Sequence, residues 1–570
     1  MSPRTPRQAP AHRATGASSG FGPTLGLLLR SHRTMLLAWL IPPLVVVAVV
    51  IPAYHATYPE PAQREVLVEQ MSDTSGTRIM YGILHAPGTL GQLFAWEMGT
   101  YVLVLGSIMA ILLGISSTRA AEQSGTLELV RAGGVRPWVP AAASLVLVTT
   151  AVAVLALGST ALLLLQVPVV GSEEISVSGA IAFGAIIALC AWCCGLVALC
   201  CAQLLPEAGA ARSWALGFLA VAFVLRILAD QAAHDDAWPS WLERLSWFTP
   251  LGWREIIGPF DEDRFARLLP LLAICLGLAA AGLWLHSRRE YGAGLLPGSA
   301  STRQRLRVPA VELWAGIGAR GQVIGWSITA LLLATLFGSM TSGLVSTLQA
   351  SDRTRELWAQ VVGSTAAAQP PGEAQLISEY YQFLGVFMAL IIMVFAVSAV
   401  LRWRGEERAG HMDLELTAGT RRWRSLSARC LIAGIGCAVL LALCGAVMGW
   451  LGERQLAGEI ETGRAMDNAL TSSLGHLPGL WAAIGVAALL VALVPRLSGL
   501  AWFVVGWSGF AQLFGGLVEL PQRAMDAGVL AWSFAPGDDW PWVAWGLLAA
   551  VGVLGTALAA ALIGRRDIGA

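Results

Sequence analysis

The residues best placed to do something are arginines and carboxylates that occur twice. Arg119-Ala-Ala-Glu122-Gln-Ser-Gly125-Thr-Leu-Glu128-Leu matches Arg404-Gly-Glu406-Glu407-Arg-Ala-Gly410-His-Met-Asp413-Leu, and the match runs on through Gly134 and Gly419, Arg136 and Arg421, and Trp138 and Trp423. A short helix that carries carboxylates and is followed by a basic turn is suited to dock in a cleft of a soluble protein. Its ends continue into apolar runs, so force applied to it would tilt those runs. A single copy reads better as a solvated charged turn; recurrence at the same place argues for docking.

Other chemistry is thinly represented. Cys190-x-x-Cys193 has metal-ligand spacing, but no His, Asp or Glu lies near it to complete a coordination sphere, so packing is the better reading. His234-Asp235-Asp236 has neither a counterpart later in the chain nor a nucleophile beside it. Arg226 and Asp230 stand four apart on one helical face and read as an ion pair near the outer surface. The chain contains no lysine, and a Walker A loop needs the lysine that reaches the phosphates, so any ATP hydrolysis belongs to another chain. An ion-driven carrier needs ionisable groups inside the membrane. Here Glu97, Asp230, Glu379 and Glu519 fall at span ends and none falls mid-span.

The elements that must position these groups are membrane helices. Of 570 residues, 56% are hydrophobic and 13% charged, with mean hydropathy +0.64, a composition that belongs in a bilayer. The formal net charge is +0, which gives no field to attract nucleic acid. Apolar runs of about 20 residues suffice to cross the hydrocarbon core. Twelve are expected, near 35–54, 99–118, 139–166, 179–203, 213–229 and 268–286, then near 323–346, 381–401, 427–451, 478–495, 499–518 and 543–563. Arginine concentrates before the first run, in the central segment, around residues 402–424 and at Arg565-Arg566, while the alternate loops are acidic; the positive-inside rule puts both termini and the two repeated loops in the cytoplasm.

The repeat has a period near 285 residues and covers nearly the whole chain. Arg33 and Trp39 recur as Arg320 and Trp326, and Arg288-Arg289-Glu290-Tyr-Gly292 recurs as Arg565-Arg566-Asp567-Ile-Gly569. The expected fold is thus an all-α integral membrane protein of two homologous six-helix halves. Residues 1–34 form a cytosolic arm and interface helix, 35–294 the first six-span half, 295–322 a cytosolic linker with a second interface helix, and 323–570 the second half. The interface helix rests on Phe21, Leu25, Leu28 and Leu29 at helical spacing.

With these motifs the chain resembles the permeases of bacterial type-2 ABC exporters, specifically fused twelve-span subunits similar to the tetronasin and polyketide-antibiotic exporters of actinobacteria. The most specific element is Arg-x-Glu-Glu-x-x-Gly after the second span of each half. It is intact at Arg404 to Gly410, whereas Ala121 replaces the first Glu in the other copy. The resemblance implies a permease in the bacterial cell membrane that exports hydrophobic or amphipathic compounds such as antibiotics. Two copies of a separately encoded ATPase subunit would supply the energy, with ATP and Mg bound there and no cofactor in this chain. It assigns coupling to Arg119, Glu122, Gly125, Glu128, Arg404, Glu406, Glu407, Gly410 and Asp413. It also implies Pro-containing segments outside the last span of each half, at Trp247 to Pro250 and Ser533 to Pro536, and a substrate route between spans 1, 2 and 5 and spans 7, 8 and 11. Along that route Met109, Phe218, Phe223, Phe387, Met388, Phe395, Trp507, Phe510, Gln512 and Phe514 would give an aromatic, Met-rich wall. The competing readings are a major-facilitator-like secondary multidrug carrier and an ABC exporter of lipids.

Overall fold

The computed structural model describes residues 20–72, 81–234, 239–296, 311–339, 341, 373–408, 410, 412–456, 464–514, 520–532 and 541–565. The described residues are almost entirely helical and contain no strand. The chain divides into two compact units, Met1–Arg303 and Gln304–Ala570.

In the first unit α1 runs Phe21–Thr57, α2 Pro61–Ser72 and α3 Leu90–Ile115; a short α4 spans Thr126–Ala132, and α5 Val139–Val170, α6 Val177–Leu204 and α7 Ala208–His234 follow. After 3-10 turns at Ser240–Phe248 and Pro250–Gly252 come α8, Trp253–Ile257, and α9, Leu268–Arg288. The amphipathic segment expected ahead of the first span is continuous with it: α1 is a single helix of 37 residues, about 55 Å long. No Gly or Pro lies between Leu27 and Ile41 to break it.

α3 starts earlier than the apolar pattern indicates, because a capping box fixes its first turn. Thr89 Oγ1 accepts from the Gln92 N–H at 3.2 Å and Gln92 Oε1 accepts from the Thr89 N–H at 3.0 Å. Glu97, expected at a span end, therefore lies about two turns inside the helix. There it is half-buried and accepts a hydrogen bond from the Tyr54 hydroxyl. The core of this unit is built from α3, α5 and α6, with Phe94 and Phe183 edge to face at 5.4 Å. Outward, α5 presents Leu157, Leu165 and Val169, apolar side chains each at least 70% exposed, which suits a helix facing lipid.

The second unit comprises α10 (Val311–Gly338), α11 (Glu373–Arg408), α12 (Met412–Thr417), α13 (Arg422–Gln455), α14 (Arg464–Leu474), α15 (Leu477–Leu493), α16 (Ala501–Phe514), α17 (Gln522–Met525) and α18 (Trp542–Ile563). Its tightest pairing is α15 on α18. A Cβ on Gly485 would meet the Val551 carbonyl at 2.7 Å and Gly552 Cα at 2.9 Å, so only glycine allows the two backbones to approach this closely, as in small-residue interfaces of membrane helices.

Among the described residues eleven helices are long and apolar enough to cross a membrane, six in the first unit and five in the second. The run expected near 499–518 contains α16, whose 14 residues span about 21 Å. Residues 515–519 lie outside the described part, as do 533–540 with the second expected Pro-containing segment. The first such segment is present as the 3-10 turns that end in α8.

Candidate functional site

The repeated motif forms two loops, A over residues 116–138 and B over 402–423. In loop A, α3 is prolonged by a π turn at Ser116–Ala120 and a last turn at Ala121–Gln123. Gly125 then reverses the chain at φ 73°, α4 follows, and Gly134 at φ 80° leads to α5. In loop B, α11 runs to Arg408, Gly410 turns at φ 74°, α12 follows, and Gly419 at φ 81° leads to α13. The paired angles agree within about a degree. Left-handed backbone costs a non-glycine residue about 1–2 kcal/mol. A Cβ at any of these four positions would meet nothing within 4 Å, so conformation and not crowding demands glycine here.

The Arg and Glu of the motif point inward. In loop A, Arg119 is 1% exposed. It donates from Nη1 to Glu122 Oε2 at 2.9 Å and from Nε to the Pro206 carbonyl at 2.8 Å, with the Gly292 and Ala293 carbonyls at 3.4 and 3.5 Å. Glu122 is also buried. Its Oε2 accepts from Arg289 Nη1 at 2.7 Å and its Oε1 from the Gly292 N–H at 2.6 Å. The chain after α9 is itself tied down, with Leu295 and Leu296 N–H groups donating to the Gln203 and Leu204 carbonyls at 3.1 and 2.8 Å. The Glu122 carboxylate and the guanidinium groups of Arg119 and Arg289 thus join α3, the segment just after α6 and the tail of α9.

Loop B has the same inner pair, with Arg404 Nη1 donating to Glu407 Oε2 at 2.6 Å. Arg404 Nε is buried and finds no acceptor among the described residues. Around the pair lies a charged cluster centred on Arg429. Its guanidinium donates to Glu406, to Glu415 Oε1 at 3.0 Å and to Ser425 Oγ at 2.6 Å, and Ser425 Oγ donates to Glu415 Oε2 at 2.6 Å. Arg402 Nε donates to the other oxygen of Glu406 at 2.9 Å. These bonds fasten α11, α12 and α13 together. Sequence reasoning missed Arg429, Glu415, Arg289 and Gly292 as members of these sites. The available signal was Arg429 itself, a charge just inside an expected span.

Outward the two loops expose different members of the motif. Glu128 and Asp413 face solvent at matching positions, and Leu129 beside Glu128 is 78% exposed. Gly410 is exposed and Gly125 half-buried.

The residues expected to wall a substrate route divide by burial. Met109 lies in the packed interior of the first unit, and Met388 and Phe395 in that of the second. Phe218 and Phe223 are half-buried against the first core, with the Arg226 guanidinium 4.9 Å from the Phe223 ring. Phe387 packs edge to face on Phe337 at 5.1 Å. On α16, Phe503, Trp507 and Phe510 form a ladder with ring centres 6.2 and 6.3 Å apart. Phe510 is exposed and Gln512 half-buried, and the side chain of Phe514 lies outside the described part.

At the far end of α3 from loop A, Arg226 Nε lies 3.6 Å from Asp230, both buried, as the spacing indicated. They belong to a larger group. Arg254 donates to the Ala95, Trp96 and Tyr81 carbonyls at 3.0, 3.2 and 2.7 Å and to Glu255 at 2.6 Å. Burial pushes the Glu255 carboxyl up, but Arg254 and His85 outweigh it and bring it down to about 2. The ring nitrogens of His85 face Glu255 at 3.2 Å and Asp261 at 3.7 Å. The bond to Glu255 raises the imidazole above its ordinary value, although burial and Arg254 act the other way.

Eleven span-length helices among the described residues, with loop charges turned inward to fasten helix ends, define a multi-pass membrane protein. The family model described as "Multidrug efflux system permease Rv1217c, C-terminal domain" matches residues 21–286 and 317–564, and the chain belongs to that family. It is similar to the multidrug efflux system permease protein Rv1217c of Mycobacterium tuberculosis (strain ATCC 25618 / H37Rv), with 29% identity over 534 residues, 91% of this chain and 90% of that protein.

Proposed function

We propose that this chain is the membrane permease of an ATP-driven exporter of the type-2 ABC class. It has twelve spans and cytoplasmic termini, and it moves hydrophobic or amphipathic compounds outward. Two copies of a separate ATPase subunit, which bind ATP and Mg, drive it. The observation that carries this reading is the duplication of one device: a buried Arg–Glu pair beneath a left-handed glycine turn, with a carboxylate displayed at the same register in each loop, Glu128 and Asp413. The exposed residues Glu128, Leu129 and Asp413 make the docking contact. The buried pairs Arg119–Glu122 and Arg404–Glu407 hold the loops to their spans, so a push at the tip reaches α3, α5, α11 and α13. Phe218, Phe223, Trp507, Phe510 and Gln512 contact cargo, while Met109, Met388 and Phe395 shape the wall from behind.

One observation favours a secondary carrier: Glu97 and Asp230 both sit within span-length helices. Asp230 is paired with Arg226, which offsets its charge and disfavours a proton-carrying role.

The test is to co-purify the chain with a candidate ATPase subunit in lipid and compare the wild type with Glu128→Arg, Leu129→Asp, Asp413→Arg combined. Drug-stimulated hydrolysis in the wild type that drops about tenfold or more in the variant supports the reading. Export that persists without ATP and stops when the proton gradient is collapsed would sink it in favour of the carrier.

A further inference from the structure

A cleft of about 350 Å3 lies beside loop A, between the first turns of α1 and the residues of the loop. Four of its lining residues, Ser117, Ala121, Val130 and Pro140, correspond at the repeat offset of 285 to Arg402, Glu406, Glu415 and Ser425. In loop B those four bond to one another or to Arg429, whose own counterpart is Ser144. The first unit is therefore hollow where the second carries a charged cluster, and the residues exchanged are the small or apolar ones.

The lining specifies what would fit. Among the described lining residues none is Asp, Glu or Arg, and the one imidazole, His32, is engaged through Nδ1 with the Leu28 carbonyl, so a charged guest would lose hydration without gaining a fixed counter-charge. Leucines from α1 and α4 supply apolar wall. Thr24 and Ser117 spend their hydroxyl protons on the Gly20 and Leu113 carbonyls at 2.6 and 2.8 Å. Their oxygens are left as acceptors, ready for a ligand that brings donors. The volume falls within the usual range of small-molecule sites.

We propose that this cleft binds a neutral amphipathic small molecule bearing hydroxyl groups, and that its occupancy stiffens loop A as the Arg429 cluster stiffens loop B. Such a molecule comes either from the compounds transported or from neutral lipid of the inner leaflet. Binding stands apart from the exporter reading; only its consequence for transport rests on that reading.

The experiment uses the full chain in phosphatidylcholine nanodiscs, carrying Ser124→Cys, a lining position that faces solvent. The nine native cysteines are buried or half-buried, and wild-type labelling is subtracted. Maleimide labelling of the new thiol is followed with cortisol, with dioctanoylglycerol, and with progesterone, which lacks hydroxyl donors. At ten times its Kd a protecting ligand slows labelling about tenfold, in line with occupancy.

The protection should vanish in Ala121→Glu, Val130→Glu, Ser144→Arg combined, which rebuilds the loop B cluster in the cleft. If that variant does not fold, Leu28→Trp fills the cleft instead. Protection by cortisol alone assigns the site to a free compound, and protection by dioctanoylglycerol alone assigns it to lipid. Absence of protection by both, equal protection by progesterone, or undiminished protection in the filled variant overturns the proposal. Every readout uses this chain by itself, so absence of an ATPase partner would sink the exporter reading and leave this one standing.

Discussion

Loop A and loop B turn at equivalent glycines, with φ of 73° and 80° in one and 74° and 81° in the other, yet the side chains that hold them come from different parts of the chain. Glu122 is held by Arg289 and the Gly292 N–H, from the tail of α9. Glu406 and Glu415 are held by Arg429, one helix further on. Where Arg429 sits in loop B, loop A has Ser144, which donates to the Ser117 carbonyl at 3.0 Å. The duplicated backbone has kept its turns because left-handed φ tolerates little but glycine. The bracing charges were free to be rewired, provided each buried charge kept a partner.

The sharpest way to break this comparison is to remove the inner arginines. Arg119→Ala removes four hydrogen bonds, to Glu122 and to the Pro206, Gly292 and Ala293 carbonyls, while Arg289 and the Gly292 N–H stay on Glu122; it is expected to cost about 3–4 kcal/mol. Arg404→Ala removes a guanidinium with a single hydrogen bond among the described residues and should cost about 2 kcal/mol. Denaturant unfolding of the purified variants in mixed micelles measures both, and equal losses would contradict the different bracing described here.

A second pair of changes sharpens it. Arg429→Ala should lose about 2–3 kcal/mol and speed hydrogen exchange over 412–417, whereas Ser144→Ala should lose about 1 kcal/mol, the worth of one neutral hydrogen bond. The glycines should behave alike: Gly125→Ala and Gly410→Ala are each expected to cost about 1 kcal/mol in the same unfolding assay, since the strain is conformational and a Cβ has room. Unequal costs there would mean the turns are less equivalent than their angles.

The smallest effect is expected away from both loops and serves as their control. His85 is raised by its bond to Glu255, so its stabilisation is fully present below about pH 6.5 and is lost as the pH rises through the higher folded value. The imidazole is partly exposed, which keeps the contribution small. A thermal melt of wild type should fall slightly from pH 6 to pH 8.5 while His85→Gln stays flat; a parallel fall in both would remove His85 from the account.

Much of this was legible in the chain. Hydropathy located the span-length helices, and the Glu-x-x-Gly repeat located both loops, because period and composition are local properties. In the apolar run near 499–518 the described residues hold a 14-residue helix, preceded by a 3-10 turn at Pro495–Leu500, and residues 515–519 lie outside the described part. Whether a carboxylate faces a partner or its own protein depends on residues far away in sequence. Glu122 belongs to a repeated motif, but its partners Arg289 and the Gly292 N–H leave no periodic trace. Arg254 is similar, since its acceptors Tyr81, Ala95 and Trp96 are more than 150 residues distant.

The tail that clasps loop A also sets an order of events during synthesis. Among the described residues every bond of the Arg429 cluster lies between residues 402 and 429, so loop B can close as soon as its own helices are made. Arg119 leaves the ribosome 170 residues ahead of Arg289 (289 − 119), so loop A waits for four further long helices before its carboxylate is matched. Until then Glu122 has only Arg119. A chain cut just after α9 would never complete it, and one cut after Leu296 would.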